Sequence, residues 1–209
     1  MVKSYMGTKV IVPKNYGWLE HKLSDDEFDY VKKRIDIPSE DRISLAGNIL
    51  ESIPLYDKDD WLFNNTIVPL INTYTQEFGN LGNDVPLNQL HPYRLSDWWV
   101  NYQKQHEFNP LHFHTGIYSF VIWIKIPTEW EDQNKDNPSN MPSKSSFKFV
   151  YTDNLGQIKY YDYNLGPGAE GVMLFFPSKL NHIVYPFYNC GEVRVSVSGN
   201  IGVDTTVKL

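Results

Sequence analysis

The stretch "EVRVSVSGNI", residues 192–201, alternates between two kinds of side chain: Arg194, Ser196 and Ser198 alternate with valines. Because successive side chains of a β-strand point to opposite faces, this pattern predicts a strand with one polar and one apolar face. Such a strand either has its polar face in water or lines the interior of a barrel. In the second case the arginine needs an anionic partner, since an unpaired buried guanidinium is strongly unfavourable. A carboxylate would bind it bidentately.

Other strand patterns precede this one from about residue 95. The segment "YSFVIWIKIP", residues 118–127, is rich in β-branched and aromatic residues, and the strands "SSFKFVYTD" and "QIKYYDYNL" flank an Asn-Leu-Gly turn typical of a hairpin. Further strands are predicted in "DWWVNYQKQ", "GVMLFFPS" and "NHIVYPF". Six or seven closely spaced strands predict a mostly β fold, a barrel or sandwich with N-terminal helices packed outside.

The helical signals lie in residues 1–95. In "SDDEFDYVKKR", residues 24–34, Ser24 and Glu27 form a capping box at the start of a helix. A second helix is predicted from about Asp59 to Phe78, with Pro69 as a potential kink and Gly79 as its C-terminal cap. The polar segment 127–145 predicts a long, flexible loop, of the kind that often covers a functional site.

Composition narrows the classes of function. The chain has 209 residues, 41% of them hydrophobic, and a formal net charge of −6, which predicts a single globular domain and argues against nucleic acid as a partner. Cys190 is the only cysteine, so an intrachain disulfide and a multi-cysteine zinc site are both excluded. We find no secretory signal pattern and no membrane-span pattern, so a cytoplasmic location is expected.

Three histidines are candidate metal ligands. His112 and His114 lie in "NPLHFHTG", residues 109–116, and would share one face of an extended segment. His182 follows the predicted strand "GVMLFFPS" and supplies a distant third nitrogen. Three protein ligands leave coordination positions open for substrate and oxygen, as a non-haem iron enzyme requires. Each histidine alone is more often structural, so the prediction depends on the set.

Three segments together resemble the 2-oxoglutarate/Fe(II)-dependent oxygenase family, and in particular a branch often encoded by bacteriophages. They are "WWVNYQKQHEFNPLHFHTGIYSFVIWIKIP", "EGVMLFFPSKLNHIVYPF" and "EVRVSVSGNI", so the resemblance covers roughly residues 95–202. It implies a double-stranded β-helix, or jelly-roll, core over residues 96–203, supported by a helical region over residues 1–95. It also implies Fe(II) and 2-oxoglutarate as cofactors.

The resemblance assigns roles to individual residues. His112 matches the first iron ligand of the family and His182 the distal one, while Arg194 and Ser196 match the residues that bind the far carboxylate of 2-oxoglutarate. Tyr102 occupies a position where related enzymes often have a cosubstrate-binding tyrosine. Trp123, in the strand after the first motif, is assigned to the same pocket more loosely.

The sequence departs from the family at position 114, where the wider superfamily has a carboxylate and this chain has His114. We expect His114 to be the third ligand, although its neutral imidazole leaves an Fe(II) site with one more positive charge. Two alternatives stay open: a three-histidine cupin-type dioxygenase that needs no 2-oxoglutarate, and a non-catalytic jelly-roll protein of a bacteriophage. The expected small-molecule partners are 2-oxoglutarate and O2; the sequence allows a homodimer and does not identify the substrate that is oxidised.

Overall fold

The computed structural model describes residues 3–5, 8–11, 15–37, 41, 43 and 47–207. Over these residues the helices are α1 (Asp25–Ile35), α2 (Val68–Phe78) and α3 (Trp130–Asn134). The strands are β1 (Lys3–Tyr5), β2 (Thr8–Val10), β3 (Leu19–Lys22), β4 (Ser52–Pro54), β5 (Tyr93–Gln103), β6 (Asn109–His112), β7 (Tyr118–Lys125), β8 (Ser146–Thr152), β9 (Ile158–Asn164), β10 (Val172–Pro177), β11 (Asn181–Val184) and β12 (Arg194–Val203).

Two antiparallel sheets face each other across the core. The larger sheet has the strand order β3-β10-β7-β12-β5-β4, the smaller one has the order β6-β11-β8-β9, and β1 pairs only with β2. Strand β10 explains the layering: Leu174 and Phe176 pack towards the smaller sheet, whereas Met173 and Phe175 pack on the opposite side with residues of α1 and α2. The helices therefore cover the outer face of the larger sheet, and the mostly β fold with N-terminal helices is confirmed.

Helix α1 forms as predicted. The Oγ of Ser24 accepts a hydrogen bond from the amide of Glu27, and the Glu27 carboxylate accepts one from the amide of Ser24. This capping box satisfies two amides that the first helical turn leaves without partners. Val31 then anchors the helix in the core, where it is fully buried.

The predicted helix over residues 59–78 forms, but it starts later and is not uniform. Lys58–Asp60 is a 3-10 turn, the helix starts at Trp61, and Phe63–Ile67 is a π-helical turn before the regular α-helix α2 begins at Val68. The amide of Val68 reaches back to the carbonyl of Phe63, which widens the helix just before Pro69. Proline has no N–H and its ring would clash with the carbonyl four residues earlier, so a wide turn accommodates it. Gly79 ends α2 with a positive φ of 98°, as predicted.

The segment 127–145 is not uniformly irregular. It contains α3, and Gln133 of that helix exchanges two hydrogen bonds with the backbone of Tyr188, both of 2.8 Å. The indole N–H of Trp130 donates to the Oγ of Ser146 over 3.0 Å. The segment is thus attached to the rest of the protein through α3, and its flexibility stays a prediction. None of the helices in the described ranges is long and apolar enough to span a membrane.

Candidate metal centre

The three predicted histidines converge at one edge of the smaller sheet. His112 ends β6 and is the direct cross-strand partner of His182 in β11, so the ladder between these strands brings their side chains together. His114 lies beyond the end of β6, and its amide donates to the carbonyl of Ser178 over 2.8 Å. One ring nitrogen from each histidine can be chosen so that all three lie within 4.8 Å of one another. This spacing is suitable for a common metal ion.

Backbone carbonyls orient two of the imidazoles. The Nδ1 of His112 donates to the carbonyl of Pro110 over 2.7 Å, and the Nδ1 of His182 donates to that of Leu180 over 3.0 Å. Because a carbonyl can only accept, both Nδ1 atoms carry the proton and both Nε2 atoms keep a lone pair. A hydrogen bond of this kind to the remote nitrogen is the usual way in which a metal-binding histidine is fixed.

The electrostatics of the histidine set favour neutral ligands. Burial lowers the pKa of all three imidazoles. The pKa of His182 falls well below its usual value. The pKa of His114 falls to about 4, with a further contribution from the charge of His112. The imidazoles are therefore neutral at pH 7, which is the form that binds metals. The Nε2 atoms of His114 and His182 lie 3.2 Å apart, a contact between two nitrogens that needs a proton or a metal ion to be favourable.

Aromatic side chains form an apolar wall behind His182, which is 3% exposed. The ring of Phe147 stacks on the imidazole with centroids 5.4 Å apart, and Phe176 packs against it edge-on at 5.1 Å. Both phenylalanines are essentially buried. Such packing fixes the rotamer of the imidazole and keeps water away from one side of the histidine set.

A cavity of about 100 Å³ lies between the sheets and contains the histidine set. Its floor consists of cross-strand pairs between β12 and β5: Arg194 with Gln103, Ser196 with Asn101, and Ser198 with Trp99. The polar face of the 192–201 strand thus points into the interior, as the barrel interpretation predicts, and Val197 on its other face is in the apolar core.

Arg194 is the most buried charged group of the cavity, with 1% of its surface exposed. Its Nη2 donates to the Oγ of Ser145 over 2.7 Å, and its Nη1 makes longer contacts with Gln103 Oε1 (3.3 Å) and the carbonyl of Tyr185 (3.5 Å). Its Nε has no hydrogen-bond partner, and within the described ranges no carboxylate forms an ion pair with the guanidinium. Burial lowers the pKa of Arg194 to about 9, so the group is still cationic at pH 7.

The surroundings of Arg194 suit an anionic ligand. A buried guanidinium with an unpartnered Nε is costly unless an anion neutralises it. None of the described residues that line the cavity carries a carboxylate. A dicarboxylate cosubstrate fits the donor set, since it would place one carboxylate on Arg194 and leave the other end for a metal ion on the histidines.

The structure corrects one placement and supports another. Tyr102 does not line the cavity: it follows Asn101 on β5, so its side chain lies on the opposite face and packs against the core beneath the helices. Asn101 and Gln103 occupy the cavity positions instead, and the alternation in "DWWVNYQKQ" was the signal for them. Trp123 does line the cavity, where it is 2% exposed and edge-on to Phe147.

Comparison with known protein families matches residues 97–200, the part that contains the histidine set and Arg194, to the family described as "Putative 2OG-Fe(II) oxygenase". The chain belongs to this family. The 2OG-Fe(II) oxygenases are enzymes that depend on Fe(II) and 2-oxoglutarate, so these are its cofactors. The match is to the family as a whole, and the narrower resemblance to a bacteriophage branch stays a prediction.

Solved structures show the fold of a 2OG-Fe(II) oxygenase. A prolyl-4-hydroxylase from Pseudomonas putida matches with a TM-score of 0.51 and 16% identity, over 90% of this chain and 94% of that chain. A viral collagen prolyl hydroxylase from Paramecium Bursaria Chlorella virus-1, solved as a 2OG complex, matches with a TM-score of 0.51 and 12% identity, over 88% and 94%.

A third structure, an oxidoreductase of the 2OG-Fe(II) oxygenase family from Burkholderia pseudomallei, matches with a TM-score of 0.50 and 12% identity, over 87% and 80%. No curated protein matches the sequence. At these identities the structural matches establish the fold alone, and they confirm the predicted double-stranded β-helix.

Proposed function

We propose that this 2OG-Fe(II) oxygenase holds Fe(II) on His112, His114 and His182 and binds the far carboxylate of 2-oxoglutarate on Arg194 and Ser196. The observation that carries the proposal is that one cavity contains both a converging set of imidazole nitrogens and a buried, incompletely bonded guanidinium. Neither feature has a structural purpose of its own, because both are costly without a ligand.

Bound Fe(II) and 2-oxoglutarate would supply the oxidative decarboxylation of 2-oxoglutarate by O2 to succinate and CO2, in which one oxygen atom enters succinate and the other converts a substrate C–H bond to C–OH. The residues of the chain bind, orient and exclude water. His112 and His182 present preoriented Nε2 lone pairs, Arg194 fixes the remote end of the cosubstrate, and the wall around Phe147 keeps the centre dry. Trp123 closes the cavity on the side of β7.

The charge of the site follows from His114. Three neutral imidazoles leave Fe(II) with its full double positive charge, whereas a carboxylate at position 114 would remove one unit. Arg194 adds a further positive charge to a cavity whose described lining has no carboxylate. A cosubstrate with two negative charges would place one carboxylate on each cation and would offset most of this positive charge.

Arg194 also distinguishes this proposal from a cupin-type dioxygenase without 2-oxoglutarate. Such an enzyme would share the three-histidine centre but would have no ligand for a guanidinium buried in the cavity. The same residue weighs against a non-catalytic jelly-roll protein, in which a buried, unpaired arginine would only be destabilising.

The finer expectations on location and assembly remain proposals. The single cysteine, Cys190, is compatible with a reducing compartment and supports a cytoplasmic enzyme. Whether the chain forms a homodimer is tested by its molar mass in solution, measured by light scattering.

The direct test of the ligand assignment is metal stoichiometry under anaerobic conditions. We expect one Fe(II) per chain for the wild type and a large loss of affinity in each of His112→Ala, His114→Ala and His182→Ala. Unchanged Fe(II) binding in His182→Ala would contradict the assignment of His182 as a ligand. His91→Ala is the matched control, since His91 contacts the carbonyl of Val207 and does not line the cavity.

A further inference from the structure

Ser145, at the end of the 127–145 segment, is the best-bonded neighbour of Arg194. Its side chain is fully buried, and its Oγ accepts the 2.7 Å hydrogen bond from Arg194 Nη2. The same Oγ lies 3.3 Å from the carbonyl of Leu165, to which it donates, and 3.3 Å from the hydroxyl of Thr128. A serine hydroxyl has one proton and two lone pairs, so these contacts use its full capacity.

The backbone of Ser145 is held just as firmly. Its amide donates to the carbonyl of Pro186 over 2.9 Å, and its carbonyl accepts from the amide of Leu165 over 3.0 Å. Pro186 and Leu165 follow the ends of β11 and β9, so Ser145 joins two neighbouring connections of the smaller sheet. The position of the hydroxyl is thus defined by the fold and does not depend on Arg194.

The backbone conformation at this position is unfavourable for serine. Ser145 has a φ of 55°, in the left-handed region that favours glycine and strains residues with a Cβ atom. Glycine would relieve that strain and keep every backbone hydrogen bond. The feature that glycine could not supply is the hydroxyl, and its shortest contact is with Arg194.

The hydroxyl determines which edge of the guanidinium is free. Ser145 binds Nη2, while Gln103 Oε1 and the carbonyl of Tyr185 contact Nη1, so the hydrogen-bond partners of Arg194 all lie at the terminal nitrogens. The ring of Phe187 packs on the face of the guanidinium, with its centroid 4.8 Å from the central carbon. Nε is left without a partner. Holding the terminal end in this way fixes the rotation of the planar group and keeps its Nε edge available for a carboxylate.

From this geometry we infer that Ser145 is a positioning residue for 2-oxoglutarate: it acts through Arg194 and couples the 127–145 segment to cosubstrate binding. The inference rests on the proposed function, since it requires that Arg194 binds the far carboxylate. Thr128 and Ser145 lie at opposite ends of the segment and meet at one hydroxyl contact. A rearrangement of the segment would therefore alter the support of Arg194.

The test compares two ligands and three variants. Calorimetric titration into the Mn(II)-loaded protein gives the Kd of 2-oxoglutarate and of 2-oxobutyrate, which has the same chelating end but no far carboxylate. The variants are Ser145→Gly, Ser145→Ala and the control Ser143→Ala, which deletes a hydroxyl two residues away that contacts Met141 and Lys148.

We expect Ser145→Gly to weaken 2-oxoglutarate about tenfold, the usual weight of one hydrogen bond to a charged group, and to leave 2-oxobutyrate unchanged. Its melting temperature should lie above that of Ser145→Ala, because both changes leave Arg194 Nη2 without its hydrogen-bond partner but only glycine relieves the positive φ. Ser145→Ala should lose the same affinity, and Ser143→Ala should change neither Kd.

Two results would overturn the inference while leaving the proposed function intact: a wild-type Kd for 2-oxoglutarate in Ser145→Gly, or equal weakening of both ligands, which would indicate a merely structural effect. If instead the wild type bound 2-oxobutyrate as tightly as 2-oxoglutarate, the role of Arg194 itself would fail, and the inference with it.

Discussion

The Nε2 atoms of His114 and His182 lie 3.2 Å apart although the two residues are 68 positions apart in the chain. Burial keeps both imidazoles neutral, and His182 already uses its Nδ1 proton on a backbone carbonyl. A pair of neutral nitrogens held this close is set up to share a cation. His114 is therefore a candidate metal ligand at the position where the wider family has a carboxylate.

As a proposed ligand, His114 should set both the affinity for metal and the charge of the centre. We expect His114→Ala to lower the affinity for Fe(II) by more than the roughly 10–100-fold that follows the loss of a group which only orients a ligand. His114→Asp should restore metal binding, because a carboxylate is also a good iron ligand. Calorimetry with Mn(II) measures both. If His114→Ala bound metal like the wild type, His114 would not be a ligand.

Arg194 should have opposite effects on stability and on binding. Because its charge is buried without a carboxylate, Arg194→Met should leave the melting temperature of the ligand-free protein unchanged or raise it. The same change should weaken 2-oxoglutarate at least about 30-fold, the effect of removing one partner of a buried charged pair.

Thermal denaturation with and without the cosubstrate separates these effects for Arg194. Saturating 2-oxoglutarate in the presence of Mn(II) should stabilise the wild type, by about 2.7 kcal/mol at 100 times its Kd, and should not stabilise Arg194→Met. Lys179→Met serves as a control, since it removes an exposed charge that contacts the carbonyl of His114 from outside the cavity. Equal stabilisation of wild type and Arg194→Met would contradict the assignment.

The aromatic wall should support the fold and the centre together. Phe147 is 2% exposed and stacks on His182, so Phe147→Ala should destabilise the protein by about 3–5 kcal/mol and also weaken metal binding. Phe147→Leu keeps most of the volume and should cost less than about 1.5 kcal/mol. Urea unfolding, with and without metal, measures both. A fully stable Phe147→Ala variant would show that the wall is dispensable.

Glu27 should make stability depend on pH in the acid range. Burial alone would raise the pKa of this carboxyl group, but hydrogen bonds from the amide and hydroxyl of Ser24, from Thr66 and from His21 outweigh burial and lower it. Because the folded-state pKa lies below the unfolded one, the carboxylate stabilises the fold above the unfolded pKa. This stabilisation is lost as the pH falls through the folded value.

The matching experiment is Glu27→Gln. It should cost roughly 1 kcal/mol at pH 7, the size of a typical helix-cap contribution, and the difference from the wild type should shrink as the pH is lowered towards 3. Denaturant unfolding at several pH values provides the measurement. A constant difference at all pH values would mean that the charge of Glu27 does not contribute.

Local patterns predicted the parts of this protein whose causes are local. The alternation around Arg194 predicted a strand with one polar and one apolar face, and the capping box predicted the start of α1, because both signals depend on neighbouring residues. Residue type and strand pattern predicted the three histidines as a candidate set, and the resemblance to a family assigned a role to His112 and to His182. Their direct pairing, His112 opposite His182, comes from the register of β6 and β11, which no single segment specifies.

The support of Arg194 could not be found in the same way. Ser145 and Gln103 are 49 and 91 residues away from it in the chain, and neither has a pattern that points to the arginine. Tyr102 was misplaced because its assignment came from family position, whereas strand alternation puts it on the other face from Asn101. The π-helical turn before Pro69 depends on how the chain accommodates a missing N–H within a packed helix.

The proposal that one cavity holds Fe(II) on three histidines and 2-oxoglutarate on Arg194 is tested by anaerobic titration with Fe(II) and then with 2-oxoglutarate, followed by visible absorption. A weak metal-to-ligand charge-transfer band should appear only after both additions and should be lost in Arg194→Ala at the same concentrations. Iron binding without a band, or a band of full intensity in Arg194→Ala, would contradict it.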